Sequence, residues 1–343
     1  MVSPRRTPDD AVVDPGEQLL RIIGGKWLAA AVSAAAELRL AEALSDGPRA
    51  VDALAGELAC DADALSRLVR VLCGVGVLAA QPDHTVSLTP LGEKLRRDEL
   101  GDLAVYTGAP FSWNPWSQLA SAIRSGRSPF ALEHDIELFD YLDRESEHGR
   151  VYQHAIDAFT RREARALAEA FDFSRVERVV DVGGGVGTAL VALLEAYPEL
   201  RATLLERPAV EREARAVLDA AGVGDRCDFV GGDFFASLPR GADAYIVMHI
   251  VHNWDDPRAA KVLENCVEAM NDDGRVLVIE GTLLPGNRPD AIRLLDLEML
   301  VLGGGGRERS KPELRRLFNG AGLTIESSSD LAGTTRLFVL RKR

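Results

Sequence analysis

The sequence predicts an α/β fold: a doubly wound, mostly parallel sheet with one antiparallel edge pair, preceded by a helical, winged-helix-like domain. Three observations carry this. From Val179 onward, short apolar runs alternate with helical patterns, at residues 179–182, 203–206, 227–230, 244–248, 276–280, 324–328 and 337–340. Helical stretches are expected between the first six runs, which makes them parallel. Only a short connection through Gly333 joins the last two, so they are read as antiparallel. Before residue 100 the pattern is instead one of short helices and a small hairpin.

That N-terminal part begins with a polar segment, residues 1–16, read as a disordered tail without the apolar core of a signal peptide. Residues 18–44 carry apolar side chains at helical spacing, with Gly24-Gly25 as an interruption. Residues 51–58 and 62–75 read as two more helices, with Asp61 as an N-cap. Gly76-Val77-Leu78 and Val86-Ser87-Leu88 read as a hairpin, followed by a helix with Thr89 as N-cap and Pro90 at its first position. Helices plus hairpin make a winged-helix-like unit over residues 17–100. Such a unit serves either DNA binding or packing and dimerisation, and the acidic chain favours the second. Residues 101–170 read as a helical linker with aromatic punctuation that can line an acceptor pocket, and residues 171–343 as the catalytic, ligand-binding domain.

Composition narrows the partners. The chain has 343 residues, natural for two domains, and its 46% hydrophobic and 27% charged content is that of a soluble globular protein. A net charge of −13 argues against nucleic acid or an anionic membrane as partner. The Ala-rich run 27–36 is too short to span a bilayer. The four cysteines, Cys60, Cys73, Cys227 and Cys266, lie far apart and read as free thiols of a cytoplasmic protein.

In a doubly wound sheet the ligand sits beyond the carboxyl ends of the strands. Asp181, Glu206, Asp233, His252 and Glu280 all fall at or just after those ends. The run Asp181-Val182-Gly183-Gly184-Gly185-Val186-Gly187-Thr188 reads as strand, tight turn and helix, with Gly183 and Gly185 letting a ligand approach. Glu206 ends the next strand, where a carboxylate accepts ribose hydroxyls. A dinucleotide turn usually has an apolar residue where Asp181 stands, and its last glycine is replaced here by Thr188. An acid there repels a pyrophosphate and suits a cationic amino-acid tail, so the pattern favours S-adenosylmethionine over NAD. Asp233-Phe234, after the third strand, offers a carboxylate and a ring suited to adenine.

His252 follows the fourth strand, and an imidazole titrating near neutrality suits a base for a hydroxyl. Glu280 and Glu308, from separate loops, are placed to orient it and stabilise its imidazolium. Each has a plainer alternative: His252 at a helix start, Glu308 on a solvated loop. Asp296 and Glu298 interrupt an apolar helix at 294–302, so a charge there should face a cavity or partner. No His/Cys/carboxylate group stands at metal-ligand spacing in the sequence, so no metal is expected.

Taken together, Asp-Val-Gly-Gly-Gly-x-Gly-Thr, Gly-Gly-Asp-Phe-Phe, His-Asn-Trp-Asp-Asp and Gly-Gly-x-Glu-Arg-Ser resemble the S-adenosylmethionine-dependent O-methyltransferases of the caffeic-acid/hydroxyindole type, many of whose bacterial members tailor aromatic natural products. The resemblance covers nearly the whole chain. It implies a class I methyltransferase (Rossmann-like) domain and an intertwined homodimer. The implied reaction is methylation of a small aromatic acceptor with S-adenosyl-L-homocysteine as product. His252 matches the catalytic base, and Glu280 and Glu308 the acids flanking it. Gly183, Glu206, Asp233 and Phe234 match cofactor contacts, and Thr160 falls near a hydroxyl contact from the preceding helix. Ile156, Glu298, Met299 and Gly303 fall where relatives line the acceptor pocket. Met248 stands where plant relatives place a cofactor-binding lysine, so that contact is lost. Asn253 replaces the usual aspartate after the base, and a charged Glu298 sets this chain apart from enzymes of simple phenols. Methylation at carbon or nitrogen, a non-methylating member of the fold, and a winged-helix regulator stay open as alternatives.

Overall fold

The structure, a computed structural model, describes residues 14–287 and 289–343. The chain divides into two compact units, one ending at Gly108 and one spanning Ala109–Arg343.

The first unit opens with helix α1 (Pro15–Glu37), capped by the Asp14 carboxylate, which accepts from the Gly16 and Glu17 amides. Residues 15 and 16 of the segment expected as a tail are therefore helical, and residues 1–13 lie outside the described residues. α1 also runs unbroken through Gly24-Gly25. A glycine costs about 1 kcal/mol in a helix interior, and the helix is buried only near its C-terminal end, at Ser33, Ala35 and Ala36. Strand β1 (Arg49–Ala50), helices α2 (Val51–Glu57) and α3 (Ala62–Gly74), and strands β2 (Leu78–Ala80) and β3 (Thr85–Leu88) follow. The strands form an antiparallel sheet in the order β1-β3-β2, the expected hairpin with one added strand. Asp61 and Thr89 both cap as read, accepting from the amides of Ala64 at 2.8 Å and Gly92 at 3.1 Å. Helix α4 (Gly101–Gly108), grouped by the sequence with the following region, packs on α1.

α1 leaves Leu19, Leu20, Ile22, Ile23 and Trp27 each more than half exposed. By length and composition alone it is long and apolar enough to cross a membrane. A soluble chain with such a face normally covers it against a partner.

The second unit is built on helix α5 (Ser146–Ala170) and a seven-stranded sheet. Its elements run β4 (Arg178–Val182), α6 (Thr188–Ala196), β5 (Arg201–Glu206), α7 (Glu211–Ala220), β6 (Cys227–Gly231), β7 (Ala244–Met248), α8 (Asp256–Ala269), β8 (Arg275–Gly281), α9 (Ala291–Leu302), α10 (Lys311–Gly320), β9 (Leu323–Ala332) and β10 (Thr335–Lys342). The strand order is β6-β5-β4-β7-β8-β10-β9. One apolar layer, with Leu167, Leu190, Leu193 and Leu218, covers one face of the sheet; another, with Val262, Leu263, Leu314 and Phe318, covers the other. Period-two alternation explains this on β4, where Val179 faces the first layer and Val180 and Val182 the second.

One expectation needs correction. No helix separates β6 from β7; residues 232–243 form a turn and loop. Asp233, Pro239, Gly241 and Asp243 break a helical pattern there. The last two strands are antiparallel, as read. β10 alone runs against its neighbours, inserted between β8 and β9 and antiparallel to both. The crossover through α10 lays β9 along the parallel direction, one strand away from β8. The hairpin then returns β10 into the gap.

Strand order reverses between β4 and β7, which pair in parallel with Val180 opposite Tyr245. The carboxyl ends of these two strands carry the glycine turn and His252, so the topology puts both motifs at the crevice where such sheets take ligands.

Candidate active site

Gly183 turns the chain at the end of β4 with φ +71°, and its amide donates to the Leu205 carbonyl at 2.8 Å. A Cβ there would stand 2.7 Å from Ile250 Cδ1 and 3.3 Å from Phe234 Cε1. Only glycine lets the turn, the β7 loop and the Asp233-Phe234 turn meet so closely. The Gly185 amide donates to Glu206 Oε2 at 3.0 Å, and the other oxygen of that buried carboxylate accepts from the Arg207 amide at 2.8 Å. The acid ending β5 is thus fastened to the glycine turn.

Asp181 is held differently from a rim carboxylate. It is buried beneath Gly184, whose Cβ would lie 2.3 Å from Asp181 Oδ2, and that oxygen has no hydrogen-bond partner. Burial, and then the Glu206 charge, push its carboxyl up to about 7. A group so placed is not a fixed anion at neutral pH, which weakens the charge argument made for it from the sequence.

Asp233 is exposed, and its Oδ1 accepts from the Phe235 amide at 2.8 Å, closing a tight turn that presents Phe234. Asn265, buried on α8, donates to the carbonyls of Phe234 at 2.7 Å and Phe235 at 3.0 Å. Sequence reasoning missed it. The available signal was one amide among the apolar positions Ala259, Val262, Leu263 and Cys266 of that helix. Trp254 packs edge-on to Phe235 at 4.9 Å, tying the turn to the segment that carries His252.

His252 sits in a single helical turn, Val251–Asn253, after β7. Its Nδ1 lies 2.7 Å from Glu308 Oε1 and 3.5 Å from Glu280 Oε2, and all three side chains are buried. Glu280 Oε1 also accepts from the Val251 amide at 2.8 Å and the His252 amide at 3.3 Å, which fixes the backbone of the turn. With Nδ1 turned to two carboxylates, the proton of the neutral ring belongs there and Nε2 keeps the lone pair. Burial works against an imidazolium here, but Glu280 and Glu308 outweigh it and raise the His252 pKa above its ordinary value. Burial also raises Glu280, with His252 and His249 pulling the other way.

Glu308 reaches this spot because the loop after α9 packs backbone to backbone on the His252 turn. A Cβ on Gly306 would stand 2.6 Å from the His252 carbonyl, and the Arg307 amide donates to that carbonyl at 2.8 Å. Arg309, buried, donates to the carbonyls of Val251 at 2.7 Å and Trp254 at 2.8 Å and pairs with Asp256 at 2.8 Å. Both residues belong to the Gly-Gly-x-Glu-Arg-Ser motif, but the sequence gives neither a role of its own, since a glycine run and an Arg-Glu-Arg triplet also suggest solvated loop. Gly306→Ala should push Glu308 off His252 and lower kcat at least about tenfold, since alignment of the base is lost. Cofactor affinity, read by calorimetry, should hold. An unaltered kcat would show that the close approach is dispensable.

The remaining candidates divide. Asp296 accepts from the Glu308 amide at 2.8 Å, so the charge on α9 holds the acid that holds the histidine. Glu298 Oε2 accepts from Trp116 Nε1 at 2.7 Å. Ile156 and Thr160 are half-buried on α5, and the Thr160 hydroxyl donates back to the Ile156 carbonyl at 3.0 Å. Met299 lends its carbonyl to the Gly303 amide at 2.9 Å, so Gly303 is the stop of α9. Met248 ends β7 with its side chain in the apolar layer shared with α5 and α6. Burial, eased by Arg207, pushes the Tyr152 hydroxyl up to about 12, with Glu206 and Glu298 adding to the rise. His249, His252 and Glu280 bring ligand atoms within 4.8 Å of one another, a clustering the sequence spacing did not foretell. His249 Nε2 and His252 Nδ1 in that cluster are already engaged by Glu163 and Glu308.

With a glycine turn tied to an acid and a histidine between two buried glutamates on one rim, the unit has the form of a group-transfer enzyme with a nucleoside cofactor. The chain belongs to the O-methyltransferase family: the O-methyltransferase domain matches residues 116–324, and the O-methyltransferase dimerisation domain matches residues 20–98. It is 36% identical over 327 residues to the mitomycin biosynthesis 6-O-methyltransferase of Streptomyces lavendulae, covering 94% of this chain and 93% of that one. It is 35% identical to the phenazine O-methyltransferase PhzM of Lysobacter antibioticus, covering 90% and 91%. Among solved structures, human N-acetylserotonin methyltransferase in complex with SAM superposes with a TM-score of 0.88 at 25% identity, covering 97% of this chain and 99% of that one.

Proposed function

We propose that this chain is a homodimeric, cytoplasmic enzyme that transfers the methyl group of S-adenosylmethionine to an aromatic hydroxyl of a small natural product, with His252 as general base. The observation that carries this reading is His252 held through Nδ1 by two buried carboxylates, at the switch point beside the glycine turn.

The residues present fit the cofactor. Gly183 closes the turn against Ile250 and Phe234 with no side chain of its own, and Glu206 is set at the end of β5 with an oxygen on the Gly185 amide. Gly183 and Gly185 would border its amino-acid end, Glu206 its ribose and Asp233 with Phe234 its adenine. When bound, S-adenosylmethionine supplies a methyl group already activated by a sulfonium charge. The chain then has only to align the acceptor and remove its proton. His252 Nε2 takes the proton of the hydroxyl, and Glu308 and Glu280 stabilise the imidazolium that results. Asp296, Gly306 and Arg309 hold that constellation rigid. Ile156, Glu298 and Met299 are read as acceptor-side residues because of where they fall in the family pattern.

Incubation with methyl-labelled cofactor and a panel of phenols, hydroxyquinones and hydroxyphenazines tests the reading. Label should appear as an aromatic O-methyl group with equimolar S-adenosylhomocysteine. Label on a ring nitrogen or carbon, or cofactor turnover without transfer, contradicts it.

The dimer reading rests on the matched dimerisation domain and the exposed apolar face of α1. The full chain should run as a dimer in light scattering at micromolar concentration. Ile23→Asp with Trp27→Asp should shift it toward monomer, because two charges cannot be buried unpaired in an apolar contact. A monomeric full-length chain would end this reading. The unpaired cysteines support the cytoplasmic assignment.

A further inference from the structure

His249 is not used by the mechanism above, yet both its backbone and its side chain are tied to the structure around it. Its backbone is left-handed, with φ +53°. Its amide donates to the Ile279 carbonyl at 3.0 Å, and its own carbonyl accepts from Asn253 Nδ2 at 2.8 Å. Few residues other than glycine adopt this conformation, and surrounding structure must impose it. What the conformation achieves is an ion pair: His249 Nε2 lies 2.5 Å from Glu163 Oε2 on α5. The other oxygen of Glu163 accepts from the Thr335 hydroxyl at 2.5 Å, at the start of β10. Glu163 and Thr335 are both buried. The two imidazole rings stand 5.5 Å apart.

We infer that Glu163, His249 and Thr335 form a positioning device for His252: a fixed imidazolium beside the base that offsets its two acids and keeps it able to accept a proton. The charges packed around His252 make the need plain. Glu280 comes from β8, Glu308 and Arg309 from the loop after α9, with Asp296 behind Glu308 and Glu163 behind His249. The Arg309 guanidinium is spent on the Val251 and Trp254 carbonyls and on Asp256. Two anions at Nδ1 with no counter-charge would hold His252 as imidazolium, and an imidazolium is no base. His249 supplies the counter-charge. Burial opposes its protonation, but the charge and hydrogen bond of Glu163, aided by Glu280 and Glu308, push its pKa up to about 9. Burial raises Glu163, but the His249 charge and hydrogen bond and the Thr335 hydroxyl bring it below its ordinary value. The pair is therefore charged at neutral pH. Its field acts on His252 across the 5.5 Å between the two rings. The edge hairpin thereby contributes to the rim through Thr335, a residue 172 positions from Glu163 in the chain.

The consequence for catalysis rests on the proposed base role of His252; the device itself does not, and the test reads it without turnover. Histidine labelled in the ring is titrated by NMR in the full-length protein, whose six histidines are few enough to assign with His249→Asn and His252→Asn. Asparagine tolerates a left-handed backbone, so His249→Asn removes the charge with little strain. In the wild type, His249 should remain protonated at pH 7 and titrate near 9. In His249→Asn the His252 midpoint should rise by about one pH unit or more. Glu163→Gln keeps the histidine and its turn but removes its partner. There the His249 midpoint should fall and that of His252 should rise. A purely structural role leaves the His252 midpoint where it is in both variants. A neutral His249 at pH 7 in the wild type overturns the inference without recourse to a variant. So does an unmoved or lowered His252 midpoint in either folded variant.

Discussion

His252→Ala should lower kcat by about 10²–10⁴-fold, the usual contribution of a positioned base. Affinity for S-adenosylmethionine should be nearly unchanged, because the imidazole is held by Glu280 and Glu308 and not by the glycine turn. The pH dependence follows from the sign of the shift. The base is the unprotonated ring, and the two carboxylates raise its pKa above the ordinary histidine value. Wild-type kcat should therefore rise with pH through a midpoint above about 6.5, the ordinary value, and level off beyond it. His252→Ala should lose that rise. If kcat of the variant stays close to wild type at neutral pH, the imidazole is structural and proximity alone drives the reaction.

Glu206→Gln should weaken S-adenosylmethionine by roughly 1.5–3 kcal/mol, because charge-assisted hydrogen bonds to the ribose become neutral ones. Part of the loss comes from within the chain, since the carboxylate also accepts from the Gly185 and Arg207 amides. The single carbonyl oxygen of glutamine can accept from one of these amides, and it carries no charge. Thermal unfolding without cofactor separates the two contributions: a change in Tm without cofactor measures the turn, and the further change with cofactor measures the ribose contact. Unchanged affinity by calorimetry would remove Glu206 from the binding site.

The sequence announced those parts of the fold that depend on local pattern. All seven strands of the sheet fall on the apolar runs read from the sequence, and Asp61 and Thr89 cap as their side chains require. It was silent where a distant partner decides. Gly24-Gly25 looks like a break, yet α1 runs through it without one. The reversed strand β10 sits between β8 and β9 because of the crossover through α10, which no run of residues encodes locally. His252, Glu280 and Glu308 were legible as residues whose types fit one chemistry. What brings them together was not. Gly306 matters through a backbone contact with His252, Asp296 through the Glu308 amide and Asn265 through carbonyls of the Phe234-Phe235 turn. Asp181 shows the converse: its type suggested a cofactor contact, while its burial under Gly184 alters the charge on which that argument stood.

Acceptor acidity probes the role of His252 most directly. A series of aromatic hydroxyls differing in pKa, compared between wild type and His252→Ala at one neutral pH, separates proton removal from every other contribution. If His252 is the base, the loss on its removal should be largest for weakly acidic hydroxyls and should shrink toward nothing as the acceptor becomes ionised without help. A loss of the same size for every acceptor, acidic or not, would contradict the assignment and make His252 a residue that shapes the site without moving a proton.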